Sequence, residues 1–189
     1  MERGPFLVTT PIYYVNDVPH IGHAYTTIAA DAIARFQRLC GREVFFLTGT
    51  DEHGKKIETA AKEKNSTPQK LSDEVSPRFQ ELWKKLSISN DDFIRTTQER
   101  HKQGVRHFWK ELEKKGQIYL GDYEGLYCTP CEAYYTEKEL ENGSCPVHKR
   151  PVERLKESTY FFKMSAFGHW LHKTVSEGEF SVEDRKSVV

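Results

Sequence analysis

The hydrophobic positions in the N-terminal half of the chain follow two different periods. Phe6-Leu7-Val8 and Val44-Phe45-Phe46-Leu47 are short, continuous apolar runs, and runs of this length predict strands, the second one buried on both faces of a sheet. Between them Tyr25, Ile28, Ala29, Ala32, Ile33, Phe36 and Leu39 recur at helical spacing. This predicts a helix with one apolar stripe turned to the core, and Gly41 supplies its left-handed stop. Strand, helix, strand in that order is the opening of a parallel α/β sheet.

Further along, Lys55 to Lys64 reads as a helix with Ile57, Ala60 and Ala61 inward. Thr67 then N-caps a helix that has Pro68 in its first turn. Pro77 lacks the amide that a helix interior needs, so Ser76-Pro77 is expected to restart a helix carrying Phe79, Leu82, Trp83 and Leu86 on its buried face. Asp92 to Arg95 reads as a short strand. Thr96 or Thr97 is expected to cap the helix bearing Val105, Phe108, Trp109 and Leu112, and Gly116 to end it. From Ile118 the period shortens to two, around Tyr119, Tyr123 and Tyr127. The change of period predicts two domains, residues 1–116 and 117–189.

Composition narrows the class without naming it. At 189 residues, 37% apolar and 12% aromatic, the chain can bury a core. Its net charge of zero lacks the basic excess of a dedicated nucleic-acid binder. Arg100, Lys102, Arg106, Lys110, Lys114 and Lys115 share one helical segment, but Glu99, Glu111 and Glu113 interleave with them, as on a solvated helix face. No apolar run approaches a membrane span, and Met1-Glu2-Arg3-Gly4-Pro5 is not a secretory signal. A cytoplasmic location is therefore expected.

Two motifs carry the chemistry. The first is His20-Ile21-Gly22-His23 at the junction of strand and helix. Imidazoles three positions apart share one face of a helical turn, the glycine between them lets a ligand lie against the backbone, and the helix N-terminus favours anions. These features predict a nucleotide phosphate site for ATP, against the alternative that both histidines only cap the helix. Thr48 to Gly54 follows the second apolar run and should lie at the carboxyl end of the sheet, where Asp51 is a candidate partner for an ammonium group. The second motif is Cys128-x2-Cys131-x13-Cys145-x2-His148. Three thiolates and one imidazole complete a tetrahedral zinc shell and leave no position for water, so one structural Zn2+ is expected. Cys40 is expected to be a small buried hydrophobe.

Phe6 to Asn16 leading into His20-Ile21-Gly22-His23, then Thr50-Asp51-Glu52-His53-Gly54, then Cys128-Thr129-Pro130-Cys131-Glu132, Tyr135 to Leu140 and Cys145-Pro146-Val147-His148, resembles the bacterial type of methionyl-tRNA synthetase, a class I aminoacyl-tRNA synthetase family. The resemblance implies a Rossmann-like α/β nucleotide-binding fold interrupted by a connective-peptide insertion, with a single zinc knuckle at about 126–150. It implies ATP- and Mg2+-dependent activation of methionine to methionyl adenylate, and transfer of the methionyl group to tRNA(Met). In that reaction His20 and His23 would be catalytic and, with Gly22, bind ATP. Pro11, Ile12 and Tyr14 would wall the amino acid, and Asp51 would receive its ammonium; Tyr14 as a core aromatic is the alternative. Leucine, isoleucine and valine synthetases, small nucleotidyltransferases, and a zinc-stabilised binding module without catalysis are the competing readings.

The family's second signature, a Lys-Met-Ser-Lys-Ser loop, is not in the chain. The expectation is an N-terminal fragment that ends inside the insertion, at Arg185-Lys186-Ser187-Val188-Val189, and is inactive alone. Specificity for methionine rests on the resemblance, and nothing in the sequence fixes an oligomeric state.

Overall fold

A computed structural model describes residues 4–177. The C-terminal stretch from Arg185 to Val189, on which the expectation of a truncated insertion rests, lies outside them. The described residues fall into two compact units that meet in sequence between Arg106 and His107, within one helix.

The first unit is built on the strand β3, Val44–Asp51. β1 (Phe6–Thr9) pairs in parallel with its first half, in the register Phe6 to Val44, and β2 (Tyr13–Tyr14) with its end. β4 (Asp92–Arg95) runs parallel along the opposite edge, Leu47 to Thr50. Three helices accompany the sheet: α1 (Ile21–Leu39), α2 (Lys55–Glu63) and α3 (Pro68–Lys85). A fourth, α4 (Glu99–Lys114), starts in this unit and runs on into the next.

β3 is longer than its apolar run, because Thr48-Gly49-Thr50-Asp51, expected to follow the strand at the carboxyl end of the sheet, continues it. Gly49 permits this. A Cβ there would sit 2.1 Å from the carbonyl oxygen of Ile94 on β4, so only glycine lets the two backbones pair at that point. Thr10 and Thr48 then join their hydroxyls at 2.7 Å inside the sheet.

The core forms around two sets of side chains. Tyr13, Val15, Ile57, Ala61, Leu71, Val75, Phe79 and Trp83 make one, between the strand ends and α2 and α3. Ala30, Ala34 and Phe46 make the other, with Val8, Val44 and Ile88 packed against it. α1 therefore does not bury the stripe expected of it. It buries Ala24, Thr27, Ala30, Asp31 and Ala34, while Tyr25 and Leu39 are 70% and 86% exposed. Small residues let the helix approach β3 closely, and Asp31 anchors it by accepting from the Ser89 backbone and hydroxyl at 2.7 and 2.6 Å. Phe45 is likewise half exposed instead of buried on both faces, because α1 covers only the Phe46 side of the strand.

Pro77 does not restart a helix, since α3 runs unbroken through it. The proline sits on the exposed side while Val75, Ser76, Phe79 and Trp83 are buried around it. Packing of that face outweighs the one lost amide hydrogen bond. Cys40, at the C-cap of α1, is exposed where a buried residue was expected, because the chain leaves the sheet there through Gly41 (φ 76°).

The second unit is an antiparallel sheet. β5 (Ile118–Cys128) pairs along its length with β7 (Glu153–Phe162), from Ile118 opposite Phe162 to Tyr127 opposite Glu153, and at its end with β6 (Ala133–Tyr135). Tyr134 packs on Tyr123 and Tyr127 with ring centroids 4.4 and 4.9 Å away. Cross-strand aromatic pairs of this kind stabilise a sheet that has little other core. The helix α5 (Gly168–Ser176) closes the described part.

Candidate functional site

His20 is the N-cap of α1 and His23 its third residue. Gly22 N–H donates to His20 Nδ1 and His20 N–H donates to His23 Nδ1, each at 3.1 Å, a reciprocal capping box made of two imidazoles. The rings stack with centroids 3.8 Å apart. Both histidines therefore do cap the helix, but the cap uses only one nitrogen of each ring. With Nδ1 accepting, a neutral imidazole carries its proton on Nε2, so each ring keeps one N–H donor that the cap does not use.

The glycine between them makes room for this pair. A Cβ at Gly22 would lie 3.0 Å from His20 Cε1, and the Gly22 amide is already used by His20. A phosphate arriving here would meet imidazole N–H groups where the sequence suggested open backbone amides.

Tyr13 supports the arrangement from below. Its ring lies 4.8 Å from that of His23 and 5.7 Å from that of Phe79, and its hydroxyl meets Thr27 at 2.8 Å. Burial, and then the charge of His20, push the His23 imidazole below its ordinary range. The folded protein thus favours neutral His23. Where the unfolded chain binds more protons, stability rises with pH, so this contribution is complete above the unfolded histidine value of about 6.5 and is lost as pH falls below it. Chemical denaturation between pH 7.5 and 5.5 should show the first unit weakening toward acid, and His23→Gln, which can keep the cap, should flatten that slope. The carboxylates of this unit whose values are lowered, Asp31, Glu58, Asp73 and Asp92, titrate below this window.

A cleft of about 340 Å³ opens beside the pair, lined by Ile12, Tyr13, Tyr14, Asn16, Asp17, Val18, His20 and His23. It brings together four of the residues singled out from the sequence: Ile12, Tyr14, His20 and His23. Pro11 and Asp51 are not among its lining residues. Asp51 ends β3 in register with Tyr14, and its carboxylate accepts from the His53 amide at 3.2 Å.

Sequence reasoning missed the network behind Asp51. The Glu52 carboxylate is fully buried and accepts two bonds from Arg95, at 2.6 and 3.1 Å, one from Thr50 at 2.9 Å and one from the Thr97 hydroxyl. Arg95 also reaches Asp73 at 2.5 Å. Thr96 accepts from the Glu52 amide at 2.8 Å and meets His53 Nδ1 at 2.9 Å. Neither threonine caps α4, which begins only at Glu99. Removing Arg95 would leave the Glu52 carboxylate buried beside hydroxyls alone, and breaking such a pair from one side costs about 3 kcal/mol or more. Arg95→Ala should show that loss in urea unfolding, and Arg95→Lys should recover part of it.

In the second unit Cys128, Cys131, Cys145 and His148 place their donor atoms within 4.8 Å of one another. Cys131 Sγ lies 3.5 Å from Cys145 Sγ and 3.0 Å from His148 Nδ1. Ligands of a tetrahedral ion with bonds near 2.3 Å stand about 3.8 Å apart, and the four donors are grouped closely enough to be compatible with one metal ion after shifts of up to about an ångström. The turns aim them: Cys128 ends β5, and Gly143 (φ 75°) reverses the chain before Cys145. Burial raises the Cys145 thiol, but the His148 and Val147 amides and the His148 ring outweigh it and bring it to about 5, favouring the thiolate a metal requires. Tyr135 adds a hydroxyl that donates to Cys131 Sγ at 3.1 Å.

A parallel α/β unit with an imidazole pair at a helix N-terminus, followed in the chain by a Cys3His cluster compatible with a metal, has the features of a class of nucleotide-binding folds. Comparison with known proteins specifies it. The family model described as "tRNA synthetases class I (M)" matches residues 6–156, so the chain belongs to the methionyl-tRNA synthetase family. It is 54% identical over 177 residues to a methionine–tRNA ligase of Clostridium perfringens, covering 94% of this chain and 27% of that protein. A methionine–tRNA ligase of Rickettsia bellii is 57% identical over 160 residues, with 85% and 31% covered. A Mycobacterium tuberculosis methionyl-tRNA synthetase in complex with methionyl-adenylate superposes with a TM-score of 0.87 at 40% identity, over 96% of this chain and 37% of that one. The chain spans about 30% of the length of the curated relatives it matches.

Proposed function

We propose that the chain forms the phosphate-binding half of the reaction centre of a methionine–tRNA ligase: methionine and ATP give methionyl adenylate and pyrophosphate, and the methionyl group then passes to tRNA(Met) in the cytoplasm. The observation that carries this reading is the imidazole pair, whose Nε2–H donors remain available after the capping box is made. Attack of the methionine carboxylate on the α-phosphorus needs no covalent enzyme intermediate; it needs alignment and neutralisation of charge on the departing pyrophosphate. His20 and His23 donate hydrogen bonds to phosphate oxygens from a fixed turn, so little reorganisation is left for the transition state. Gly22 keeps the His20 ring in place. Asp51 receives the methionine ammonium, and Pro11, Ile12 and Tyr14 contribute to the wall around the amino acid. Mg2+ bound with ATP supplies further neutralisation of the triphosphate.

Zinc is the ion that the three thiolates and one imidazole suit best, and with all four positions filled by protein it is structural. The domain division proposed is a catalytic α/β part over 1–116 and an insertion from 117 on, with the knuckle at about 126–150. No described helix is long and apolar enough to cross a membrane.

The test is methionine-dependent ATP–pyrophosphate exchange by the chain alone and by a chimera in which it replaces the matching part of the Clostridium perfringens relative. Exchange by the chimera and none by the chain is the expected outcome. A folded, zinc-loaded chimera without exchange would overturn the reading, and exchange by the chain alone would overturn the expectation that it is inactive without the Lys-Met-Ser-Lys-Ser loop.

A further inference from the structure

A second cleft in the first unit, of about 290 Å³, lies between His53 and Thr96 on one side and His101, Lys102, Val105 and Arg106 of α4 on the other. We propose that it is a separate anion subsite that takes a phosphate group, supplied either by a small phosphate or by the backbone of an RNA strand.

The lining residues show why. His53, His101, Lys102 and Arg106 all present nitrogen donors, and no carboxylate is among them. Thr96 accepts from the Glu52 amide at 2.8 Å and its hydroxyl meets His53 Nδ1 at 2.9 Å, so that ring nitrogen is already engaged. Nε2 is the ring atom left to meet a ligand, and it offers an N–H in the tautomer in which Thr96 donates to Nδ1 and in the imidazolium. The Glu52–Arg95–Asp73 network holds the turn that carries His53 in place.

The charges on α4 are unequal. Arg100 is paired with Asp92 at 2.5 Å, Arg106 with Glu99 at 2.6 Å and Lys114 with Glu111 at 2.7 Å. Among the described residues no acidic side chain pairs with Lys102, and it is partly buried beside His101. An unneutralised ammonium among donor groups attracts an anion; Lys110, which no described acidic side chain pairs with either, does not line the cleft. The position agrees as well: His53 follows β3 and Thr96 follows β4, at the carboxyl ends of adjacent parallel strands, where α/β sheets receive ligands.

The experiment is an NMR titration of the whole zinc-loaded chain, following the imidazole resonances separately. Inorganic phosphate is the probe in one arm and a short single-stranded oligoribonucleotide in the other, both at constant ionic strength. Saturable shifts of His53 and His101 are expected in at least one arm, and the arm that saturates identifies the source. Lys102→Ala should weaken that binding about tenfold, as loss of one charge-assisted contact does, while Lys110→Ala should leave it unchanged. The proposal is overturned if neither probe moves His53 and His101 saturably, or if Lys102→Ala binds as well as the parent. His20 and His23 report on the first cleft in the same spectra, so failure there would count against the proposed reaction and not against this subsite.

Discussion

Stripping the metal, or replacing Cys145 by alanine, is expected to unfold the knuckle that joins β5, β6 and the 141–151 turn, and to leave the first unit folded. Cys128 and Cys145 are buried, and their thiols converge with Cys131 and His148. A structural zinc of this kind contributes on the order of 10 kcal/mol of apparent binding free energy, which is coupled to folding; a whole domain is stable by only about 5–15 kcal/mol. The metal is therefore comparable to everything else that holds this unit. The near-ultraviolet signal of Tyr123, Tyr127 and Tyr134, whose rings pack edge to face and tilted on the strands that carry the site, should collapse on chelation. Thiol titration gives the sharper measure. The native protein should show one reactive thiol, the exposed Cys40, and the chelated protein four. Metal analysis finding no zinc, with four thiols reactive under native conditions, would refute the assignment.

The two chemical motifs were legible because each is local. In the capping box the backbone and both rings lie within four residues, and in the knuckle each short pair of ligands sits on one turn, so spacing alone places the donors. Other features depend on distant partners. The periodicity of α1 shows that an apolar stripe exists, but the same helix also offers a face of small residues, and β3 packs against that second face because Ala30 and Ala34 admit Phe46. Thr96 and Thr97 look like helix caps by local rules. They are instead engaged by Glu52, 44 and 45 residues earlier in the chain: Thr96 accepts from its backbone amide and Thr97 donates to its carboxylate, and satisfying these buried groups outweighs a cap of about 1 kcal/mol. Pro77 follows the same logic, since its cost is local and the packing that overrides it is tertiary. Nothing in the local pattern marks Glu52 as buried; its setting after a strand, between Asp51 and His53, is the one available hint.

Replacing His20 or His23 by alanine in the chimera should depress methionyl adenylate formation by about 10²–10³ in kcat, the usual effect of losing one preorganised donor to developing charge, with a smaller change in ATP affinity. A pattern confined to kcat would mean that the donors act chiefly on the transition state; equal losses in ATP binding at unchanged turnover would make them uniform binding groups and overturn that role. Alanine alone is ambiguous here, because each ring also caps α1 and a lost cap weakens the helix by about 1 kcal/mol. Two further substitutions separate the functions. His20→Ser supplies a good N-cap, and His23→Glu supplies the third-position partner of a capping box, yet neither carries a side-chain N–H. Both should restore thermal stability toward that of the parent and leave adenylate formation depressed. If the rate returns with the cap, the imidazoles serve the helix and not the phosphate, and the centre of the proposed mechanism falls.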